Sequence, residues 1–150
     1  MQSTFLLIQY ASQNIALLSC ALFAGASCYV SLVEQPTIVA GGTELSGTYV
    51  LLAQPRPAFF QTFFAAIGGL AGVAVGIAGG MAPWLAGGLI LCFAALFQVA
   101  VVLPATRRLV ETDPGADRGK VARAFRGLAR RHAVQSLAGL VSLSIYILKF

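Results

Sequence analysis

Residues 57–106 read PAFFQTFFAAIGGLAGVAVGIAGGMAPWLAGGLILCFAALFQVAVVLPAT and contain no Asp, Glu, Lys or Arg. A membrane-spanning helix takes about 20 apolar residues, so this run is long enough for two. The break falls at Met81-Ala82-Pro83-Trp84, because proline favours a first helical turn and tryptophan the membrane interface. Working outward, Met1 to Val33 and His132 to Leu148 are also free of those charges. The pattern predicts an all-α integral membrane four-helix bundle. It forms one transmembrane domain over 1–150, with spans near 12–34, 59–80, 84–104 and 132–148. Arg130, Arg131 and Lys149 are expected to snorkel at the ends of the short fourth span. Composition points the same way. The chain is 58% hydrophobic and 10% charged, whereas a soluble domain carries roughly 25% charged residues.

The first span is expected to stay in place and not be cleaved as a signal peptide. Its leading Met-Gln-Ser-Thr has no positive charge, and its apolar region is too long. Cys20, Cys28 and Cys92 all fall in predicted spans without metal-site spacing, so they read as small packing residues. Eight of the ten Lys and Arg lie between Arg107 and Arg131. The positive-inside rule makes loop 105–131 cytoplasmic, loop 35–58 likewise, and both termini non-cytoplasmic. The expected location is a bacterial inner (cytoplasmic) membrane. The basic loop is read as a topology signal that solvates itself, in preference to a site for anionic lipid or nucleic acid; no nucleic-acid partner is expected.

Gly68, Gly72, Gly76 and Gly80 recur every fourth residue in the second span. Such a small-residue stripe lets helix backbones approach closely in lipid. It predicts the bundle's internal seam; the alternative is a face for a protein partner or homo-oligomer. Asp113-Pro114-Gly115 signals a turn and Asp117 an N-cap, after which a helix should run from Arg118 into the fourth span. Helical periodicity places Val121, Phe125, Leu128, His132, Gln135, Gly139 and Tyr146 on one stripe, opposite Arg123, Arg126 and Arg130. On the first span it groups Cys20, Phe23, Ser27, Ser31 and Glu34, and Pro36 is expected to end that helix. Pro104 and Thr106 are expected to close the third. Glu34, Thr106 and His132 therefore converge on one membrane face.

An ionisable group facing a bundle interior is costly and usually has a partner or a role. His132, the single histidine, has the side chain whose ordinary pKa, about 6.5, suits proton transfer near neutrality. A nearby carboxylate would fix its tautomer, with Glu34 the first candidate and Glu44 a second. The competing reading is an ordinary interhelical polar contact that sets helix register. Gln98 reads as an interhelical hydrogen-bonder, and Tyr49, Gln54 and Arg56 as residues that roof a pocket or lie at the interface. One histidine cannot supply two axial haem ligands or a histidine-based metal triad. The chain lacks a phosphate-cradling glycine loop and a nucleophile elbow. A coupled transporter is poorly supported by a single membrane carboxylate.

At these residues the sequence resembles the anthrone oxygenase-like family of small four-helix membrane proteins, many of whose bacterial members have no assigned activity. The matching pieces are Phe23-Ala24-Gly25-Ala26 leading to Val33-Glu34-Gln35-Pro36, then Leu103-Pro104-Ala105-Thr106 with Leu109, and finally Leu128 to Gln135. The likeness runs in order from Ala21 to Leu148. Members often carry Asn at position 106, Trp at 128 and Arg at 135, where this chain has Thr, Leu and Gln. The resemblance implies oxidation of a lipophilic anthrone-like aromatic by molecular oxygen, with no metal or organic cofactor. In that scheme His132 is the base and Glu34 orients it, both as catalytic residues. Gln135 or Thr106 hydrogen-bonds the developing oxyanion. Ser31 joins the substrate-binding set, and Phe23, Phe59, Phe60 and Phe125 line an apolar cleft for flat rings. The alternatives are a non-catalytic membrane subunit or assembly factor, and a module that binds a hydrophobic small molecule without chemistry.

Overall fold

A computed structural model describes residues 2–40, 55–110 and 118–148, and every described element is helical. Helix α1 (Gln2–Tyr29) passes through a π turn (Val30–Glu34) into α2 (Gln35–Ala40). Helix α3 (Pro55–Gly79) is followed by α4 (Ala82–Phe97), a second π turn (Gln98–Val102) and α5 (Leu103–Val110). Helix α6 (Arg118–Ile147) completes the chain. The expected Asp113-Pro114-Gly115 turn, the Asp117 cap, Lys149 and the loop residues Glu44, Tyr49 and Gln54 lie outside the described residues, as do the side chains of Arg56 and Val121.

Three stretches are long and apolar enough to cross a membrane: Ser3–Ala40, Pro57–Gly79 and Ala82–Leu109. Helix α6 is equally long, but the arginines of its first half lower its hydropathy. It packs against α1 and α4, while α3 packs against both of those helices. Leu18, Leu70, Leu96 and Leu137, one on each long helix, are 64, 66, 69 and 63% exposed. Soluble proteins rarely display so continuous an apolar surface, and lipid is the solvent that suits it.

The break between α3 and α4 falls where the sequence placed it. Gly80 has φ +63, and the Met81 N–H donates to the Gly76 carbonyl at 3.0 Å, closing a Schellman-type helix end. Pro83 then occupies the first turn of α4. Trp84, placed at interface level by the sequence, turns into the chain. It is buried and stacks on Tyr146, with ring centroids 4.6 Å apart. Gly68, Gly72 and Gly76 are buried inside the chain, as an internal seam requires, whereas Gly80 is exposed and serves the turn. The seam is tight. A Cβ on Gly76 would lie 2.5 Å from the Leu85 nitrogen, and one on Gly88 2.5 Å from the Val73 nitrogen.

The prolines behave differently from expectation: neither Pro36 nor Pro104 ends its helix. Proline lacks an N–H, and its ring collides with the carbonyl four residues back. A π turn absorbs the conflict by widening the preceding turn by one residue. Accordingly the Gln35 N–H reaches back to the Val30 carbonyl, and the Leu103 N–H to the Gln98 carbonyl, each five residues away. In both helices the turn starts six residues before the proline, at Val30 and at Gln98.

Candidate functional site

The buried faces form three layers. The first is apolar and joins Ala16, Cys20, Phe23, Trp84, Leu91 and Tyr146. Beyond the second layer, at the far end, Ile38 and Phe125 pack with Leu109. Between them lies a polar layer to which every long helix contributes: Ser27, Glu34 and Gln35 from the first helix and its π turn, Gln61 from α3, Gln98 from the second π turn, and His132, Gln135 and Ser136 from α6. Both π turns pack against α6, and the second also packs against α3. The proline-driven widening brings two consecutive polar residues, Glu34 and Gln35, inward together; they are only 5 and 1% exposed.

Part of the layer is tied. Gln135 Nε2 donates to Gln98 Oε1 between α6 and the second π turn. The Ser31 and Ser136 hydroxyls lie 2.7 Å apart, and Ser136 also reaches the Ser27 carbonyl at 2.8 Å. The rest is not tied. Oε1 of Glu34, both amide atoms of Gln35 and of Gln61, Nε2 of Gln98 and the Ser27 hydroxyl are buried without a hydrogen-bond partner, and the His132 ring lies beside the Gln135 amide without a well-formed hydrogen bond between them. Each such group carries a cost of roughly 1–3 kcal/mol. A structural staple between helices would satisfy its own atoms, and this layer satisfies only some.

The α6 stripe is realised as the periodicity indicated: Phe125, Leu128, His132, Gln135, Gly139 and Tyr146 are buried, and Arg123, Arg126 and Arg130 are exposed. So is the α1 face, where Cys20, Phe23, Ser27 and Glu34 are buried and Ser31 is half-buried. Glu34 and His132 share the layer, yet no hydrogen bond joins them. Thr106 stands apart. It is half-buried, and its hydroxyl donates to the Val102 carbonyl of its own helix at 3.0 Å, so its proton is already committed. Phe23 and Phe125 belong to the two flanking apolar layers and so bracket the polar one. Phe59 and Phe60 do not line an interior cleft. They are 67 and 56% exposed and stack with Phe63 and Phe64 on the outer face of α3.

Sequence reasoning passed over Gln61 and Gln35. Gln61 carried the same signal as Gln98, an amide inside a charge-free apolar run, and Gln35 was hidden by the reading of Pro36 as a helix end. Glu34 is the sole acidic residue among the described residues. Comparison of the chain with family models, curated proteins and solved structures finds no match.

Proposed function

We propose that the chain is a four-helix bundle of the bacterial inner membrane whose polar layer binds a lipophilic polycyclic aromatic bearing carbonyl and hydroxyl groups. In this reading α6 supplies the fourth span, the basic segment 105–131 faces the cytoplasm, and both termini lie on the other side. The observation that carries it is the buried imidazole of His132, which lies beside the Gln135 amide without closing a well-formed hydrogen bond, in a layer of unpartnered amide atoms and a carboxylate. The amides of Gln35, Gln61 and Gln98 offer donors. Glu34, Gln135 and Ser27 offer acceptors. A ligand presenting both kinds of group would offset costs that the protein alone leaves standing.

The chemistry proposed is cofactor-independent oxygenation of an anthrone-like substrate, in line with the family resemblance. The methylene between two aryl rings is vinylogous to the carbonyl, and His132 takes one of its protons. With substrate bound, Glu34 closes on His132 and orients its ring, and the Gln135 amide N–H not given to Gln98 stabilises the enolate oxygen. The enolate passes an electron to O2. Recombination forms the C–O bond of a hydroperoxide, and loss of one water leaves the new carbonyl. One substrate and one O2 thus give one quinone and one H2O. A second reading, a non-catalytic subunit or ligand-binding protein of the same fold, is favoured by the filled Gln98–Gln135 and Ser31–Ser136 contacts.

Oxygen uptake by the purified protein in detergent, with an anthrone, tests the first reading. Wild type should exceed the spontaneous rate, and a His132→Ala variant that remains monodisperse should fall to it. Equal rates for wild type, variant and buffer would leave the second reading standing.

A further inference from the structure

Outside the polar layer, a groove of about 610 Å³ runs between the end of the α4–α5 helix and the first half of α6. Ala100, Pro104, Leu109 and Ala124 floor it, and Arg108, Arg123 and Arg131 edge it. Neither His132 nor Glu34 lines it, so it is separate from the layer described above. Its apolar floor begins beside Leu96 and Val99, which face outward in the apolar belt at 69 and 54% exposure. Its arginines lie where the third apolar stretch gives out at Leu109. Gly127 lines the same groove, and a Cβ there would meet nothing within 4 Å. The groove thus has an apolar half continuous with the lipid-facing surface and a cationic half at headgroup depth.

We propose that this groove is a binding site for an anionic phospholipid, its phosphate held by Arg123 and Arg131 and its acyl chain laid along the Ala100–Pro104 floor. Guanidinium groups bind phosphate oxygens through paired N–H donors, which a lysine point charge does not reproduce. A free anion would use the arginines but leave the apolar floor uncovered. A neutral lipid would cover the floor but offer Arg123 and Arg131 no net negative charge. An anionic phospholipid matches both halves.

The test is lipid binding to the purified full chain, read by native mass spectrometry and thermal melting, with phosphatidylglycerol against phosphatidylcholine. Phosphatidylglycerol should bind and raise the melting temperature, and phosphatidylcholine should do neither. Arg123→Gln/Arg131→Gln should weaken phosphatidylglycerol binding about thirtyfold, as expected for two basic residues near an anionic headgroup. Arg126→Gln/Arg130→Gln removes the same charge from exposed positions of the same helix outside the groove, and should leave binding within about twofold. Gly127→Leu keeps every charge, fills the groove and favours the helix, so it should also displace the lipid. Equal losses in the two arginine pairs would overturn the proposal in favour of diffuse attraction. So would inorganic phosphate reproducing the melting shift on its own, or undiminished binding in Gly127→Leu.

Discussion

Near Gly72, Gly76 and Gly88 the helices meet backbone to backbone, and Trp84 lies flat on Tyr146, whose hydroxyl donates to the Gly68 carbonyl at 3.4 Å. Around Glu34, Gln61 and His132 the same helices hold side chains with unused donors and acceptors, and two of the helices are locally unwound by π turns. The glycine region closes the space between helices to gain packing where lipid removes the hydrophobic incentive. The polar layer gives up hydrogen bonds it could have made internally. Proteins commonly concentrate such concessions where a ligand or a reaction needs them. The contrast implies that the first region holds the bundle together and the second is held by it.

The largest effect that could break this contrast lies in the glycine region. Gly88→Leu forces side-chain atoms into the Val73 nitrogen and the Gly69 carbonyl, backbone groups that cannot swing aside. It should lower stability by more than about 3 kcal/mol in detergent–SDS unfolding, or prevent recovery of monodisperse protein. Gly25→Ala, where a Cβ meets nothing within 4 Å, is the matched control and should be neutral or slightly stabilising. Next in size, Tyr146→Ala should cost about 3–5 kcal/mol by the same measurement, since it removes the ring stacked on Trp84 and opens a cavity beside Gly72 and Gly87.

The polar layer should answer in the opposite sense. Gln61→Leu replaces an amide with two unpartnered atoms by an apolar side chain of similar size, and should raise stability by about 1–2 kcal/mol while lowering turnover or ligand retention. A fall in stability would show that Gln61 is a structural contact. Pro104→Ala lets an α-helical hydrogen bond replace the π turn, so Gln98 would lose its present register. Stability should stay level or rise slightly, with reduced turnover as the readout. Ser31→Ala is the smallest loss of stability expected. It removes one of the tied contacts and should cost about 1 kcal/mol.

Much of this arrangement is legible in the residues. Charge-free runs locate the long apolar helices, and 3.6-residue periodicity puts His132, Gln135 and Glu34 inward and Arg126 and Arg130 outward. Gln98 reads correctly as an interhelical hydrogen-bonder, as its bond with Gln135 shows. What periodicity could not supply is the response to Pro36 and Pro104. A proline ends a helix when water can take up the freed backbone groups, whereas in lipid the helix adjusts its turn and continues. That adjustment shifts the inward face by one residue, which is why Gln35 joined the layer unannounced. Phe59 and Phe60 were misplaced for another reason: in lipid an aromatic side chain is equally at home on the outside, so apolar character alone does not mark the interior.

The most direct test needs no knowledge of the substrate. Equilibrium unfolding of His132→Leu against wild type asks whether the buried imidazole contributes to the fold. If the polar layer is kept for a ligand, the variant will be as stable as wild type or more so, because a buried polar group without a well-formed hydrogen bond has been exchanged for an apolar one. A loss of more than about 1 kcal/mol would contradict the account and make His132 an interhelical structural contact.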